Sequence, residues 1–328
     1  MRRKIRRIGN DLTAREPAMT SRGLAAGLVV GALILAAAAH GQTTRIRVGY
    51  TQGGDVSAAF VAREHAIFAR HGLEVSLTAS TSGSNLPAAL MSGSFDIGTL
   101  TAPVLLLATA GGIDEVVVSG GSVANRASRN HAVVARPGAH ISTPADFLGR
   151  RVAIAGFGGF FDLLFENWLR RNDVDPKRVF LVEMGQAQMS DALRGGSVDA
   201  VVAADPNVTR MVGSGVGQVV TYIDSQFPDG LPVILYAASR DWVEKHRDAA
   251  TAFSESIAEA TSDARAHPAA LRRTIAAYTR LPPAVVEAAS LPELQSTLSA
   301  TELGRWNPIL RSQGMLGADV DTARLLAW

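Results

Sequence analysis

The sequence predicts an α/β protein built from two half-domains of similar design, and three observations lead to this prediction. From Arg45 onward, short β-branched runs alternate with amphipathic helical stretches, a pattern typical of mainly parallel sheets whose strands are joined by helices. One eight-residue motif occurs twice, 103 residues apart. The 328 residues are 47% hydrophobic and 19% charged, which is enough apolar sequence for one or two packed domains.

The predicted elements of the first half alternate in order. They are a strand at 45–50, a helix at 57–70, a strand at 73–77, a helix at 85–91, a strand at 95–98, a helix at 104–109 and a strand at 116–119. Gly72 is placed to end the first helix, because glycine adopts the positive φ that a helix terminus favours. Polar and glycine-rich segments separate the remaining elements.

The second half repeats this alternation. It predicts a strand at 131–135, a short helix opened by the Pro-Ala-Asp at 144–146, a strand at 151–155, a helix at 162–171, a strand at 179–182, a helix at 189–194 and a strand at 199–203. A further strand is predicted at 232–237. The chain then reads as helices to its end, with prolines at their starts or in the connections.

The repeated motif indicates where a ligand would bind. Residues 89–96 and 192–199 both fit A-L-x-x-G-S-x-D. Each aspartate, Asp96 or Asp199, stands between a helix-ending glycine turn and a strand, which favours a structural role over a catalytic one. Open α/β sheets bind ligands beyond the carboxyl ends of their strands. Two such sheets facing each other would form a cleft.

Three loops are predicted to present backbone N–H groups at helix N-termini. They occupy residues 52–55, 81–84 and 156–160. Free N–H donors and the positive end of the helix dipole favour an anionic group there. Ordinary capping and turn formation are the alternative. If Phe157 or Phe160 faces the cleft, its ring would stack on a planar or apolar part of the ligand.

The first 41 residues have the composition of a secretory signal peptide. The uncharged apolar run at 24–39 follows Arg22 and precedes the small residues Ala39 and Gly41. The run is shorter than the roughly 20 residues that a membrane-spanning helix needs. We expect cleavage near Ala39 or Gly41 and a periplasmic mature protein, with a retained N-terminal anchor as the alternative. Either Met1 or Met19 could open this signal.

Charge and composition exclude several classes of function. Residues 1–41 hold seven of the 32 bases and two of the 30 acids. The rest of the chain therefore has 25 bases and 28 acids. This slightly acidic balance gives no reason to expect nucleic acid as a partner. The absence of cysteine excludes disulfides, a cysteine zinc site, a thiol nucleophile and a lipoprotein anchor. The seven histidines lack metal-binding spacing, and Phe161 replaces the third glycine of a dinucleotide fingerprint. We therefore expect no metal and no cofactor.

The order and spacing of several motifs resemble the solute-binding proteins of ABC importers for nitrate, sulfonates, taurine and thiamine-precursor pyrimidines. The motifs occupy residues 48–50, 64–75, 89–98, 143–152 and 192–206. The resemblance implies a two-lobed periplasmic-binding-protein type II fold, in which each lobe is a mainly parallel sheet flanked by helices and a hinge joins the lobes. Lobe I would comprise residues 45–125 and 235–328, and lobe II residues 130–230.

The resemblance also implies which residues bind the ligand. On lobe I they are Gln52, Gly53, Ser82, Gly83, Ser84, Thr99 and Thr101, and on lobe II they are Gly156, Phe157, Gly158, Gly159, Phe160, Gln186 and Asp205. The sulfonate pattern usually carries hydroxyls in the second-lobe loop, where this sequence has glycines and Phe157. This difference favours a more apolar organic ligand.

The function that the resemblance implies is capture of a small solute without catalysis. The ligand would be a small organic anion, such as a sulfonate or an aromatic carboxylate, or a heterocycle, and a monomeric protein would deliver it to the membrane permease of an ABC importer. Two alternatives stay open. One is an enzyme of the thiamine-pyrimidine synthesis type on the same fold, and the other is a ligand-sensing partner of a membrane receptor.

Overall fold

The strands of residues 43–80 and 82–328, which the computed structural model describes, form two separate sheets. The predicted signal peptide and Thr81 lie outside these described residues. Residues Thr43–Trp328 form one unit. None of the helices in the described part of the chain is both long enough and apolar enough to span a bilayer.

The first part of the chain alternates strands and helices as predicted. Its elements are β1 (Thr44–Tyr50), α1 (Ser57–Glu64), α2 (Ile67–Arg70), β2 (Leu73–Ala79), α3 (Leu86–Met91), β3 (Ile97–Thr101), α4 (Ala102–Ala110) and β4 (Glu115–Val123). The helix predicted over 57–70 is broken into α1 and α2. The break occurs because Ala66 has a φ of 53°, in the left-handed region that a helix cannot continue through.

The second part of the chain builds the other sheet. Its elements are β5 (His131–Ala135), β6 (Arg151–Ile154), α5 (Phe160–Arg170), β7 (Phe180–Glu183), α6 (Gln186–Arg194), β8 (Ala200–Ala204), α7 (Asn207–Gly213) and β9 (Gln218–Tyr222). The Pro-Ala-Asp segment opens a short 3-10 helix, Pro144–Phe147. Strand β9 is not predicted from the sequence. It lies at the sheet edge and is only partly buried, so it lacks a strong apolar pattern.

The last part of the chain returns to the first sheet. Its elements are β10 (Pro232–Ser239), α8 (Arg240–Lys245), α9 (Arg247–Ala266), α10 (Pro268–Thr279), α11 (Pro283–Ala288), β11 (Glu293–Leu294), α12 (Ala300–Gly304) and α13 (Trp306–Ser312). Apart from the two-residue β11, the long helical region after β10 agrees with the prediction.

The α/β class is confirmed, but both sheets are mixed rather than mainly parallel. The first sheet has the order β11-β4-β10-β3-β1-β2 and the second has the order β7-β6-β8-β5-β9. β1 pairs in parallel with β2 and β3, and β6 pairs in parallel with β7 and β8. β10 and β5 are antiparallel to both of their neighbours. Each of these two strands enters directly from the other sheet, without the helical crossover that parallel pairing requires.

The two copies of the repeat lie in different sheets and make equivalent contacts. Asp96 accepts a hydrogen bond from the backbone N–H of Arg47 at 2.7 Å, and Asp199 accepts one from the backbone N–H of Arg151 at 3.0 Å. The repeat glycines have the same φ of 67°. Each aspartate therefore fixes the strand that pairs in parallel with the one that follows it, β1 for Asp96 and β6 for Asp199, which is the structural role that the sequence predicts.

Two connections, residues 124–130 and 223–231, join the sheets. They run side by side, since Ala124 donates to the carbonyl of Leu231 and accepts from the N–H of Gly230, both at 2.8 Å. The predicted lobe boundaries, 45–125 with 235–328 and 130–230, fall at or near these connections. That the two sheets move as separate lobes about them stays a prediction.

Candidate ligand-binding cleft

A cleft lies between the two sheets, beyond the carboxyl ends of β1, β3 and β6. Ligands of α/β proteins bind at such strand ends. The predicted residues that line this cleft are Gln52, Gly53, Gly83, Ser84, Thr99, Thr101, Gly156, Gly159, Phe160 and Gln186. Their contact with a ligand stays a prediction.

Three helices begin at the cleft. α4 starts after Thr101, α5 starts after Gly159, and α6 starts at Gln186. Their first N–H groups and the positive ends of their dipoles therefore face the same space. The Thr101 hydroxyl is buried there, and no hydrogen-bond partner is found for it among the described residues. A ligand entering the cleft would be its natural partner.

The cleft also contains residues that the sequence did not single out. They are Thr51, Asp55, Val56, Val104, Ala155, Phe161, Val233 and Ile234. Thr51 and Asp55 adjoin Gln52 and Gly53, which the sequence predicts as ligand residues. The sequence therefore indicates the correct loop without indicating these two side chains. Val233 and Ile234 had no signal, because an apolar strand segment reads equally well as core.

The loop formed by residues 82–84, here called the serine loop, is bound to a carboxylate of the other sheet. The Ser84 hydroxyl donates to Glu183 Oε1 at 3.0 Å, and the Ser82 hydroxyl bonds to the same oxygen. The backbone N–H of Phe157 donates to Glu183 Oε2 at 3.3 Å. Glu183 is the last residue of β7. Ser82, although predicted as a ligand residue, does not itself line the cleft.

Part of the glycine-rich loop before α5 lines the cleft, and part of it lies at the surface. Phe157 is 50% exposed and, like Gly158, does not line the cleft. Gly158 donates its N–H to Asp162 at 2.8 Å, and burial raises the pKa of Asp162 to about 6. Phe160 is buried, with its ring centroid 5.1 Å from that of His131 and 6.0 Å from that of Trp306. Phe157 therefore lies at the surface beside the cleft, and Phe160 belongs to the core with one side at the cleft; stacking of either ring on a ligand stays a prediction.

Asp205 lies outside the cleft lining, and its predicted contact with a ligand stays a prediction. Its carboxylate accepts from the backbone N–H groups of Thr209 at 2.9 Å and Ser290 at 2.7 Å. Its carbonyl accepts from the N–H of Gly54 at 3.2 Å. Burial raises the pKa of Asp205, against the lowering effect of these hydrogen bonds. Asp205 therefore ties the end of β8 to the cleft loop of the first sheet and to the segment after α11.

A buried cluster of charges underlies the cleft. His131 Nδ1 lies 2.6 Å from Asp224 Oδ1, and His131 Nε2 lies 3.4 Å from Asp55 Oδ2. The side-chain amide of Asn130 donates to Asp55 at 3.4 Å. Burial would lower the pKa of His131, but the hydrogen bonds and charges of both aspartates outweigh it and raise the pKa to about 10. The imidazole is therefore a cation at neutral pH, and it lowers the pKa of Asp55 although burial acts in the opposite direction.

The family is settled by comparison with known sequences. The sequence model of the NMT1-like family matches residues 39–279, which is most of the chain. The chain belongs to the NMT1-like family. This NMT1-like protein is 25% identical over 230 residues to the taurine-binding periplasmic protein of Escherichia coli (strain K12), which covers 69% of this chain and 68% of that relative. The resemblance stated from the motifs is thereby confirmed.

Solved structures establish the fold of this NMT1-like protein. The alkanesulfonate-binding protein SsuA from Xanthomonas axonopodis pv. citri, bound to MOPS, superposes with a TM-score of 0.73 at 21% identity, covering 87% of this chain and 98% of that one. The Candida albicans CA3427 gene product, described as exhibiting the generic periplasmic binding protein fold, superposes with a TM-score of 0.68 at 13% identity, covering 86% and 94%. The predicted periplasmic-binding-protein fold is confirmed.

Proposed function

We propose that this NMT1-like protein is the extracytoplasmic solute-binding protein of an ABC importer. It would capture a small organic solute, an anion such as a sulfonate or an aromatic carboxylate or else a heterocycle, and deliver it to the membrane permease. The observation that carries the proposal is a cleft lined from both sheets, in a chain related to a taurine-binding periplasmic protein. That relative and the alkanesulfonate-binding structure are binding proteins, which supports a periplasmic role without catalysis.

The proposed mechanism is closure of two lobes around the solute. Contacts to both sheets would favour the closed arrangement over an open one, and the closed surface would then be presented to the permease. The two connections that run side by side at Ala124 and Leu231 would form the hinge. An affinity near micromolar, about −8 kcal/mol, would suit capture and release of this kind.

Ligand screening and uptake together test this proposal. The purified protein would be screened by thermal shift against taurine, MOPS, benzoate and an aminopyrimidine, because a ligand that binds only the native state raises the melting temperature. We expect one chemical class to stabilise the protein, and uptake of that class to fail in cells that lack the gene. Unchanged uptake of every stabilising compound in those cells would contradict the importer role.

A further inference from the structure

We propose that Glu183 occupies the position that an anionic ligand group would take at the serine loop. The cleft would then select a solute whose polar end is an uncharged or cationic N–H group that donates a hydrogen bond to Asp55. The proposal rests on the solute-binding function proposed above and narrows its ligand class. It makes Glu183 and Asp55 specificity-determining residues.

The donors of the serine loop are already bound to an anion. Glu183 accepts from the hydroxyls of Ser82 and Ser84 in the first sheet and from the N–H of Phe157 in the second. Several neutral donors around one carboxylate are also what a bound carboxylate or sulfonate requires, and such charge-assisted bonds are strong. Glu183 does not itself line the cleft, but Ser84 does, so an anion bound at Ser84 would have to displace Glu183 or lie against its like charge. Juxtaposed like charges are a means by which binding sites reject a ligand.

The N–H groups of the loop that precedes α5 are likewise bound to carboxylate and carbonyl groups of the chain. The N–H of Gly158 donates to Asp162 at 2.8 Å, and the N–H of Gly159 donates to the carbonyl of Gly156 at 3.3 Å. With the bond from Phe157 to Glu183, three successive N–H groups of this loop have partners within the protein. The second-lobe loop therefore offers an anion fewer donors than its glycine-rich sequence suggests.

The described part of the cleft lining presents one carboxylate, Asp55, which is paired with the His131 imidazolium behind it, and it presents no cationic side chain to an anion. Among the described residues that line the cleft, Asp55 is the one acidic side chain, and none is a lysine, arginine or histidine. Asp55 contacts Asn130 and His131 at 3.4 to 3.5 Å, which are long hydrogen bonds for a carboxylate. Its oxygens therefore retain capacity for a shorter bond from a ligand.

The remaining wall suits an apolar ligand body. Val56, Val104, Phe160, Val233 and Ile234 all line the cleft. A site with an apolar wall and a few convergent polar groups is the usual design for a small organic ligand. The geometry thus points to a compact apolar solute that carries an amine, amide or amidine N–H at one end.

Titration calorimetry with probes of similar size tests the proposal. The probes are benzenesulfonate as the anion, benzamide as the uncharged N–H donor and benzylamine as the cation, and comparing the last two also identifies the preferred charge. We expect the wild-type protein to bind at least one N–H donor more tightly than benzenesulfonate, and Asp55→Asn to weaken that donor about tenfold or more. Glu183→Ala should strengthen benzenesulfonate binding about tenfold or more by freeing the serine loop.

Two further variants control for folding and for net charge. Glu183→Gln keeps the side-chain volume and an acceptor for Ser84 while removing the charge, so it should strengthen benzenesulfonate binding less than Glu183→Ala does. If the alanine variant does not fold, the glutamine variant decides. Glu166→Gln removes a carboxylate of α5 that bonds to Arg170 and does not line the cleft, so it should bind all three probes as the wild type does.

Tighter wild-type binding of benzenesulfonate than of both donors would overturn the proposal, and so would absence of any gain in the Glu183 variants. The importer role fails on a different result, since it is tested by gene-dependent uptake. A protein that supports uptake but prefers the sulfonate would refute the specificity inference and leave the proposed function intact.

Discussion

His131 Nδ1 lies 2.6 Å from Asp224 Oδ1, and this contact joins the first strand of the second sheet to the connection that returns to the first sheet. On its other side the imidazole faces Asp55, in the loop that follows β1 and lines the cleft. The backbone N–H of His131 also donates to Asp224 at 2.8 Å. One buried cation thus links the cleft loop to the connecting region. A substitution in this cluster should therefore change both the arrangement of the two sheets and the shape of the cleft.

The raised pKa of His131 predicts a loss of stability at alkaline pH. A base with a raised folded-state pKa contributes stability that is fully present below its unfolded pKa, near 6.5, and that declines as the pH rises toward about 10. Urea unfolding across this range should show a falling free energy of unfolding. His131→Gln should remove most of that slope and cost about 3 to 5 kcal/mol at neutral pH, because Asp55 and Asp224 lose their buried partner. An equal slope in the variant would contradict the assignment.

Glu115 destabilises the fold when it is ionised, so its replacement by an uncharged residue should stabilise the protein. It is fully buried at the start of β4, both carboxylate oxygens lack a partner among the described residues, and burial raises its pKa to about 7. The free energy of unfolding should therefore fall as the pH rises from about 4.5 to 7. Glu115→Gln should stabilise the protein at pH 8 by roughly 1 to 3 kcal/mol and have a smaller effect at pH 5. Glu244→Gln, at an exposed site, should be neutral at both.

Phe160 and Phe157 should differ sharply when truncated. Phe160 is 1% exposed and packs on His131 and Trp306, so Phe160→Ala should cost about 3 to 5 kcal/mol of stability in chemical denaturation. Phe157 is 50% exposed, and Phe157→Ala should change stability by less than about 0.5 kcal/mol. Similar losses in the two variants would show that the loop packs differently.

Thr101 offers a test of ligand contact that leaves the fold intact. Its hydroxyl is buried at the cleft without a protein partner among the described residues, so Thr101→Val removes no internal hydrogen bond. We expect the melting temperature without ligand to stay unchanged or to rise, while the affinity for a ligand found in the screen falls about tenfold, which is about 1.4 kcal/mol. Thr109→Val lies farther along α4, where the hydroxyl bonds to the carbonyl of Leu105, and should leave affinity unchanged. Equal affinities in wild type and Thr101→Val would exclude this hydroxyl as a ligand contact.

The fold was predictable where local patterns decide it. Strand and helix positions follow from apolar periodicity, and the repeat aspartates follow from one motif that performs the same turn in both sheets. The misses were tertiary in origin. Ala66 takes a left-handed conformation that no neighbouring glycine or proline signals, and β9 is stabilised by pairing with β5 rather than by its own pattern.

The sequence by itself determined that this chain is a duplicated α/β protein of the periplasmic-binding type, with glycine and serine loops at the strand ends. It could do so because strand positions, turn glycines and helix starts are encoded within short segments, and because the motifs in those segments resemble a known family. Only the tertiary structure decided what those loops contact. The bond between Ser84 and Glu183 joins residues 99 positions apart, and that between Asp205 and Ser290 joins residues 85 apart. Such pairings depend on how the two sheets meet, which no local pattern specifies, and they decide which donors remain free for a ligand.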